Sequence, residues 1–128
     1  MQQNRRSVSD GVMWEDVVGY ARAVRVGNII EVSGTTAADG DKIVGKGSPY
    51  LQTKFILEKI AKALVKLEGS LENVTRTRIY VTGISFWQEV AKAHQECFSH
   101  IKPATSMVEV SKLIHPDLLV EIEATAII

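Results

Sequence analysis

Residues 74–111 read VTRTRIYVTGISFWQEVAKAHQECFSHIKPATSMVEVS, and three changes of period within them decide the fold. Residues 74–82 are β-branched and alternate, which predicts a strand with Arg76, Arg78 and Tyr80 on one side. Ser85 and Gln88 have the spacing of a capping box, so a helix is expected to open there. Trp87, Val90, Ala91, His94, Phe98 and Ile101 then form an apolar stripe at helical spacing, and Pro103 ends the helix. Residues 104–111 return to alternation, with Ser106, Val108 and Val110 on one side and Thr105, Met107 and Glu109 on the other. The segment is strand, helix, strand.

Working outward, residues 48–69 predict a second helix. Ser48 is an N-cap, Pro49 a first helical residue with no N–H to leave unpaired, and Gly69 a C-terminal stop. Ile56, Ile60, Ala63, Leu64 and Leu67 supply its buried face. On the other flank, the turn Ile114-His115-Pro116-Asp117 leads into a last strand, 119–128. There Val120, Ile122, Ala124 and Ala126 share one side, and Glu121, Glu123 and Thr125 the other. Before the first helix, residues 20–26 and 29–33 flank Gly27-Asn28, a hairpin signal, and Ile43-Val44 can add a short strand. The order is β-β-(β)-α-β-α-β-β, an α+β sheet with two helices on one face. The other face is a field of Arg, Glu, Thr and Tyr, either a solvated surface or a polar interface.

Composition sets the outer limits. The chain has 128 residues, 15 acidic against 15 basic, and 45% apolar, which suits a single domain spanning 1–128 with residues 1–13 loosely held. Zero net charge argues against a dedicated nucleic-acid binder and favours self-association. One cysteine, Cys97, does not ask for an oxidising compartment, and neither a secretory leader nor a run able to span a bilayer is present, so a cytoplasmic, membrane-free protein is expected.

Few chemical motifs stand out. Gly40-Asp41-Lys42-Ile43-Val44-Gly45-Lys46-Gly47 superficially fits a phosphate loop but has Gly47 where a hydroxyl residue is needed, so a mobile connection is the expectation. His94 and Cys97 share a helix face without a third ligand, so no metal is assigned and Cys97 is expected to be a buried structural thiol. Glu121 and Glu123 face the same way, with Glu109 a candidate neighbour. Such carboxylates either move protons or pair with Arg76 and Arg78.

Four segments taken together, Gly27-Asn28-Ile29-Ile30-Glu31-Val32-Ser33-Gly34, Gln52-Thr53, Pro103-Ala104-Thr105-Ser106-Met107-Val108-Glu109-Val110 and Val120-Glu121-Ile122-Glu123-Ala124, resemble the Rid family. These are reactive intermediate deaminases, also called YjgF or L-PSP endoribonucleases. The resemblance implies a chorismate-mutase-like α+β fold and a homotrimer with clefts between subunits. It also implies hydrolysis of small imines or enamines to a keto acid and ammonia without a cofactor. Position by position, Glu121 matches the water-positioning glutamate, and Tyr20, Ser33 and Gly34 match residues lining the cleft. Met107 stands at the usual cysteine. Thr105 stands where the archetype has an arginine that grips the substrate carboxylate, and a threonine supplies no charge. The resemblance therefore implies a branch acting on a small-molecule metabolite other than the archetypal one. Two alternatives stay open: a non-catalytic trimeric ligand-binding module, and an endoribonuclease using Arg22, Arg25, Arg76 and Arg78. Trp14-Glu15 departs from the archetype near the cleft.

Overall fold

The computed structural model describes residues 4–128. Its main sheet has six strands: β1 (Arg5–Val8), β2 (Ala23–Val26), β3 (Ile29–Thr36), β6 (Val74–Val81), β7 (Ala104–Glu109) and β8 (Val120–Ile127), in the order β1-β2-β3-β8-β6-β7. All neighbours are antiparallel except β6 and β7, which run parallel because a helix joins them. β4 (Ala38–Asp39) and β5 (Lys42–Ile43) form a separate hairpin. The helices are α1 (Met13–Val18), α2 (Pro49–Lys66) and α3 (Trp87–Phe98). No helix among the described residues is long and apolar enough to cross a membrane.

Alternation sorts the sheet as expected. On β8, Val120, Ile122, Ala124 and Ala126 are buried, while Glu121, Glu123 and Thr125 on the opposite face are half-exposed. β6 matches it, with Ile79 facing Ile122, and with Arg78 beside Glu123 and Tyr80 beside Glu121 on the polar side. The core lies between the apolar face and α2, whose Ile56, Leu57, Ile60 and Leu64 are fully buried. Ser48 caps α2 by accepting from Leu51 N–H at 3.1 Å, and Pro49 is its first residue. Gln52 is wholly buried; it donates to the carbonyl of Asp117 and accepts from Leu119 N–H. One side chain thus ties α2 to the entry of β8 and so fixes where Glu121 emerges.

Several expectations are corrected. The N-terminal segment is not loose throughout: Arg5–Val8 pairs with β2, Val8 packs on the core, and Arg6 reaches Glu68 at 2.6 Å. The connection at 40–47 carries its short strand one residue earlier than expected, at Lys42–Ile43, paired with Ala38–Asp39, and Lys46 pairs with Asp117 at 3.3 Å. α2 does not stop on Gly69. Glu68 takes the left-handed backbone, and Gly69 is small because a Cβ would lie 2.9 Å from Ile30 Cδ1.

α3 also opens differently. Ser85 sits inside a 3-10 turn, Ile84–Phe86, and caps nothing; Phe86 packs toward the core and Trp87 is left 49% exposed. The stripe is kept at Val90 and Phe98, which are buried, and at Ile101, which packs on the core; it gains Ala93 and loses Trp87. Glu109, from β7, accepts from Ile84 N–H at 2.9 Å and places its charge at this helix entry. It is therefore not a neighbour of Glu121: β6 separates β7 from β8, and Glu109 is in register with Val81 on the buried face.

Candidate functional site

The candidate residues fall into two groups on opposite faces of the sheet. The first surrounds Glu121. Between Val32 and Thr35 the β3–β8 ladder slips by one residue, so Ser33-Gly34 forms a bulge opposite Glu123. The bulge brings the Gly34 backbone against the Glu121 carboxylate: a Cβ at Gly34 would sit 2.1 Å from Oε2. Glycine leaves that space to the carboxylate; an added methyl would displace the flexible end of Glu121 and not the backbone.

Arg22 braces the bulge from below. It is 5% exposed. Nη1 donates to the Gly34 carbonyl and to Thr35 Oγ1, each at 2.7 Å, and more weakly to the Ser33 carbonyl at 3.4 Å. Its Nε lies 3.1 Å from Asp10 Oδ2 but is not aimed for a hydrogen bond, so the contact is an ion pair. Tyr20 stacks on the guanidinium at 5.7 Å. Ser33 donates its hydroxyl to the Ala21 carbonyl at 2.6 Å, which joins the bulge to the segment entering β2. Glu15 is buried and accepts from Asp10 N–H at 2.8 Å, holding the loop that carries Asp10. Its neighbour Trp14 is 45% exposed on α1.

Partial burial pushes the Glu121 carboxyl above its ordinary range; the Arg22 charge opposes this and Glu123 adds to it. Glu123 has a different role. It accepts from Tyr80 OH at 2.6 Å and from Arg78 at 3.4 Å, so it is the paired carboxylate, while Glu121 has no ion-pair or hydrogen-bond partner among the described residues. A half-buried carboxylate with raised proton affinity, fixed on a central strand, is suited to taking a proton from water near neutrality.

The second group lies under α3. Thr77 is fully buried and its Oγ1 is 2.9 Å from both His94 Nε2 and Thr105 Oγ1. Thr105 therefore faces the helices, away from Glu121. Met107 is on the same face, half-buried against the core beside Ile79. Burial lowers the proton affinity of His94, favouring its neutral form, and its ring meets that of Phe98 in a tilted contact, 4.6 Å between centroids. Thr105, His94, Phe98, Pro103, Ser99 and Lys102 line a cavity of about 390 Å³. Cys97 is half-buried and burial pushes its thiol up, as for a structural cysteine. His115 Nδ1 accepts from Asp117 N–H in its turn. No group of three or more metal-ligating side chains exists among the described residues.

One chain thus unites Tyr20, Ser33, Gly34 and Glu121, and keeps Thr105 and Met107 apart from them. The sequence did not expose Arg22 as the brace, because it precedes β2 at a bend and its partners are carbonyls and a hydroxyl of the β3 bulge, which no local pattern reports. Nor did it show the His94–Thr77–Thr105 chain, which joins three separate elements.

Fold and site together define an α+β protein with a free carboxylate against a glycine bulge, and comparison with known proteins supplies its kinship. The sequence model of the Endoribonuclease L-PSP family matches residues 14–128. An uncharacterized protein of Streptomyces coelicolor is 36% identical over 94% of this chain and 90% of its own. The 3-aminoacrylate deaminase RutC of Acinetobacter baylyi is 32% identical over 84% of this chain and 85% of its own. Among solved structures, Rv2704 of Mycobacterium tuberculosis, a YjgF/YER057c/UK114 family member, superposes with a TM-score of 0.89 at 48% identity, covering 98% of this chain and 100% of that one. The chain belongs to the Rid/YjgF/L-PSP family.

Proposed function

We propose that this protein hydrolyses a small imine or enamine, without a cofactor, in clefts formed between copies of itself. The observation that carries the reading is Glu121: half-buried, free of any ion pair among the described residues, and pressed against Gly34. In the proposed step Glu121 accepts a proton from water as the oxygen bonds to the C=N carbon. That proton passes to nitrogen, giving a carbinolamine. Its hydroxyl proton then moves through the same carboxylate to the amine nitrogen as the C=O forms and the C–N bond breaks, and a carbonyl compound and ammonia leave. An enamine reacts by way of its imine tautomer. The kinship with a protein named as 3-aminoacrylate deaminase supports this class of reaction. Tyr20, Ser33 and Gly34 line the Glu121 side of the cleft. Thr105 and Met107, on the opposite face of the sheet, contribute to a cleft of the same kind only if a second copy is brought up, which is why we place the site in a homotrimer. Thr105 carries no charge, so the substrate is held differently from the archetypal one.

The ribonuclease alternative draws less support. Arg22 and Arg25 donate to backbone carbonyls and Arg78 pairs with Glu123, so three of the four arginines are engaged within the chain. A trimeric binding module without chemistry is the second reading, favoured by Thr105.

The deciding experiment follows ammonia release from imines generated in place by amino-acid and amine oxidases. Wild type is expected to accelerate hydrolysis of at least one of them. Glu121→Gln is expected to lose about 10²- to 10⁴-fold, as for a general base, with its melting temperature unchanged. Equal rates in the two proteins would leave the binding module as the better reading.

A further inference from the structure

Thr105 stands where the family archetype has a guanidinium, and its hydroxyl already has acceptors for its proton within the chain. Thr105 Oγ1 lies 2.9 Å from Thr77 Oγ1 and 3.2 Å from the Pro103 carbonyl, and Thr77 Oγ1 lies 2.9 Å from His94 Nε2. Each hydroxyl carries one proton. If Thr105 donates to Pro103, then Thr77 donates to Thr105 and receives from His94. If Thr105 donates to Thr77, then Thr77 donates to the bare nitrogen of His94. In both arrangements the Thr105 proton stays inside the protein and a lone pair is left for the cavity, and only the first also keeps the Pro103 contact as a hydrogen bond. An ionised carboxylate is acceptor-only and gains nothing from it.

The cavity does hold a cation. Lys102 lines it, no carboxylate does, and Lys102 forms no ion pair among the described residues. Its backbone is left-handed, φ 54°, and its N–H donates to the Phe98 carbonyl at 2.8 Å, closing the C-terminus of α3. That is a glycine's position by backbone criteria, and here it bears a long charged side chain. Backbone preference therefore does not account for the lysine. Phe98 and Pro103 give the cavity apolar walls, and Ser99 adds a hydroxyl.

We propose that Lys102 is the anion-binding residue of this cavity, holding the carboxylate of a small ligand whose body rests on Phe98 and Pro103 while Thr105 accepts from the ligand's N–H. The inference rests on the small-molecule reading above and deepens it. The grip on the anion moves three residues from the archetypal position and changes from a planar fork to a point charge, which tolerates anions in more orientations.

Pyruvate is the probe, titrated into the intact ¹⁵N-labelled protein and followed at the amides of residues 99–107. Lys102→Gly and Lys102→Gln are the variants. Glycine suits the left-handed backbone, so Lys102→Gly should melt no lower than wild type, which separates a folding role from a binding one. Wild type is expected to show saturable shifts there, weakened at least tenfold in both variants. Absence of binding to wild type, or equal binding by all three proteins, overturns the proposal. Binding lost with Lys102 while no imine is hydrolysed leaves Lys102 standing and removes the hydrolase. Turnover that needs Glu121 alongside pyruvate binding indifferent to Lys102 does the reverse.

Discussion

Gly34 and Glu121 act as one unit. The glycine has no side chain because the space belongs to a carboxylate oxygen, 2.1 Å from where its Cβ would be. That oxygen is the free end of a flexible side chain, so in Gly34→Ala the carboxylate swings away and the backbone stays. The stability loss is expected to be about 1 kcal/mol or less, whereas, if Glu121 acts as proposed, its displacement by about 1 Å should lower turnover roughly a hundredfold. Thermal melting set against kcat checks this. A large drop in melting temperature with kcat preserved would show that Gly34 serves the bulge and not Glu121. Arg22 is different in kind: buried, ion-paired and bonded to two carbonyls and a hydroxyl, it holds the bulge from behind.

At the level of elements, α3 and the β6–β7 pair are joined by polar contacts beside the apolar stripe of an amphipathic helix. His94 is neutral there because burial disfavours its charged form, and Lys102 shares its cavity. In the unfolded chain the imidazole takes up a proton near its ordinary value of about 6.5. The unfolded state therefore binds more protons below that pH. The stabilisation is complete above pH about 6.5 and is lost progressively as pH falls toward the lowered folded value. His94→Gln can still bond Thr77 but does not titrate. Its melting temperature is expected to fall less than that of wild type between pH 8 and pH 5. Parallel curves would mean that His94 contributes nothing to acid sensitivity.

For the whole molecule, the proposed homotrimer would account at once for the polar sheet face and for the separation of Glu121 from Thr105, since a partner would cover the first and supply the second. The balanced charge, 15 acidic and 15 basic side chains, puts no long-range repulsion in the way. Exposed apolar side chains, Trp87, Val108 and Ile114 among them, are available to such contacts. Sedimentation equilibrium is expected to give three times the chain mass at micromolar concentration. A monomer under those conditions would sink the inter-subunit cleft and, with it, the joint use of Glu121 and Thr105.

The sequence by itself determined what depends on period and on local caps. The alternation along β6 and β8 sorts Glu121, Glu123, Arg78 and Tyr80 onto one face, and Ser48-Pro49 starts α2, because each rests on neighbours close in the chain. The family, too, was legible in short segments around the bulge and the last two strands. Only the tertiary structure decided which carboxylates are free. Glu109 was drawn to a helix entry by an unpaired N–H, and Glu123 to Tyr80 and Arg78, leaving Glu121 alone with Gly34. It also decided that Thr105 faces His94 across Thr77, since β7 is placed by a helical crossover and not by a turn. Burial and hydrogen-bond competition between elements far apart in the chain set these outcomes, and no local pattern encodes either.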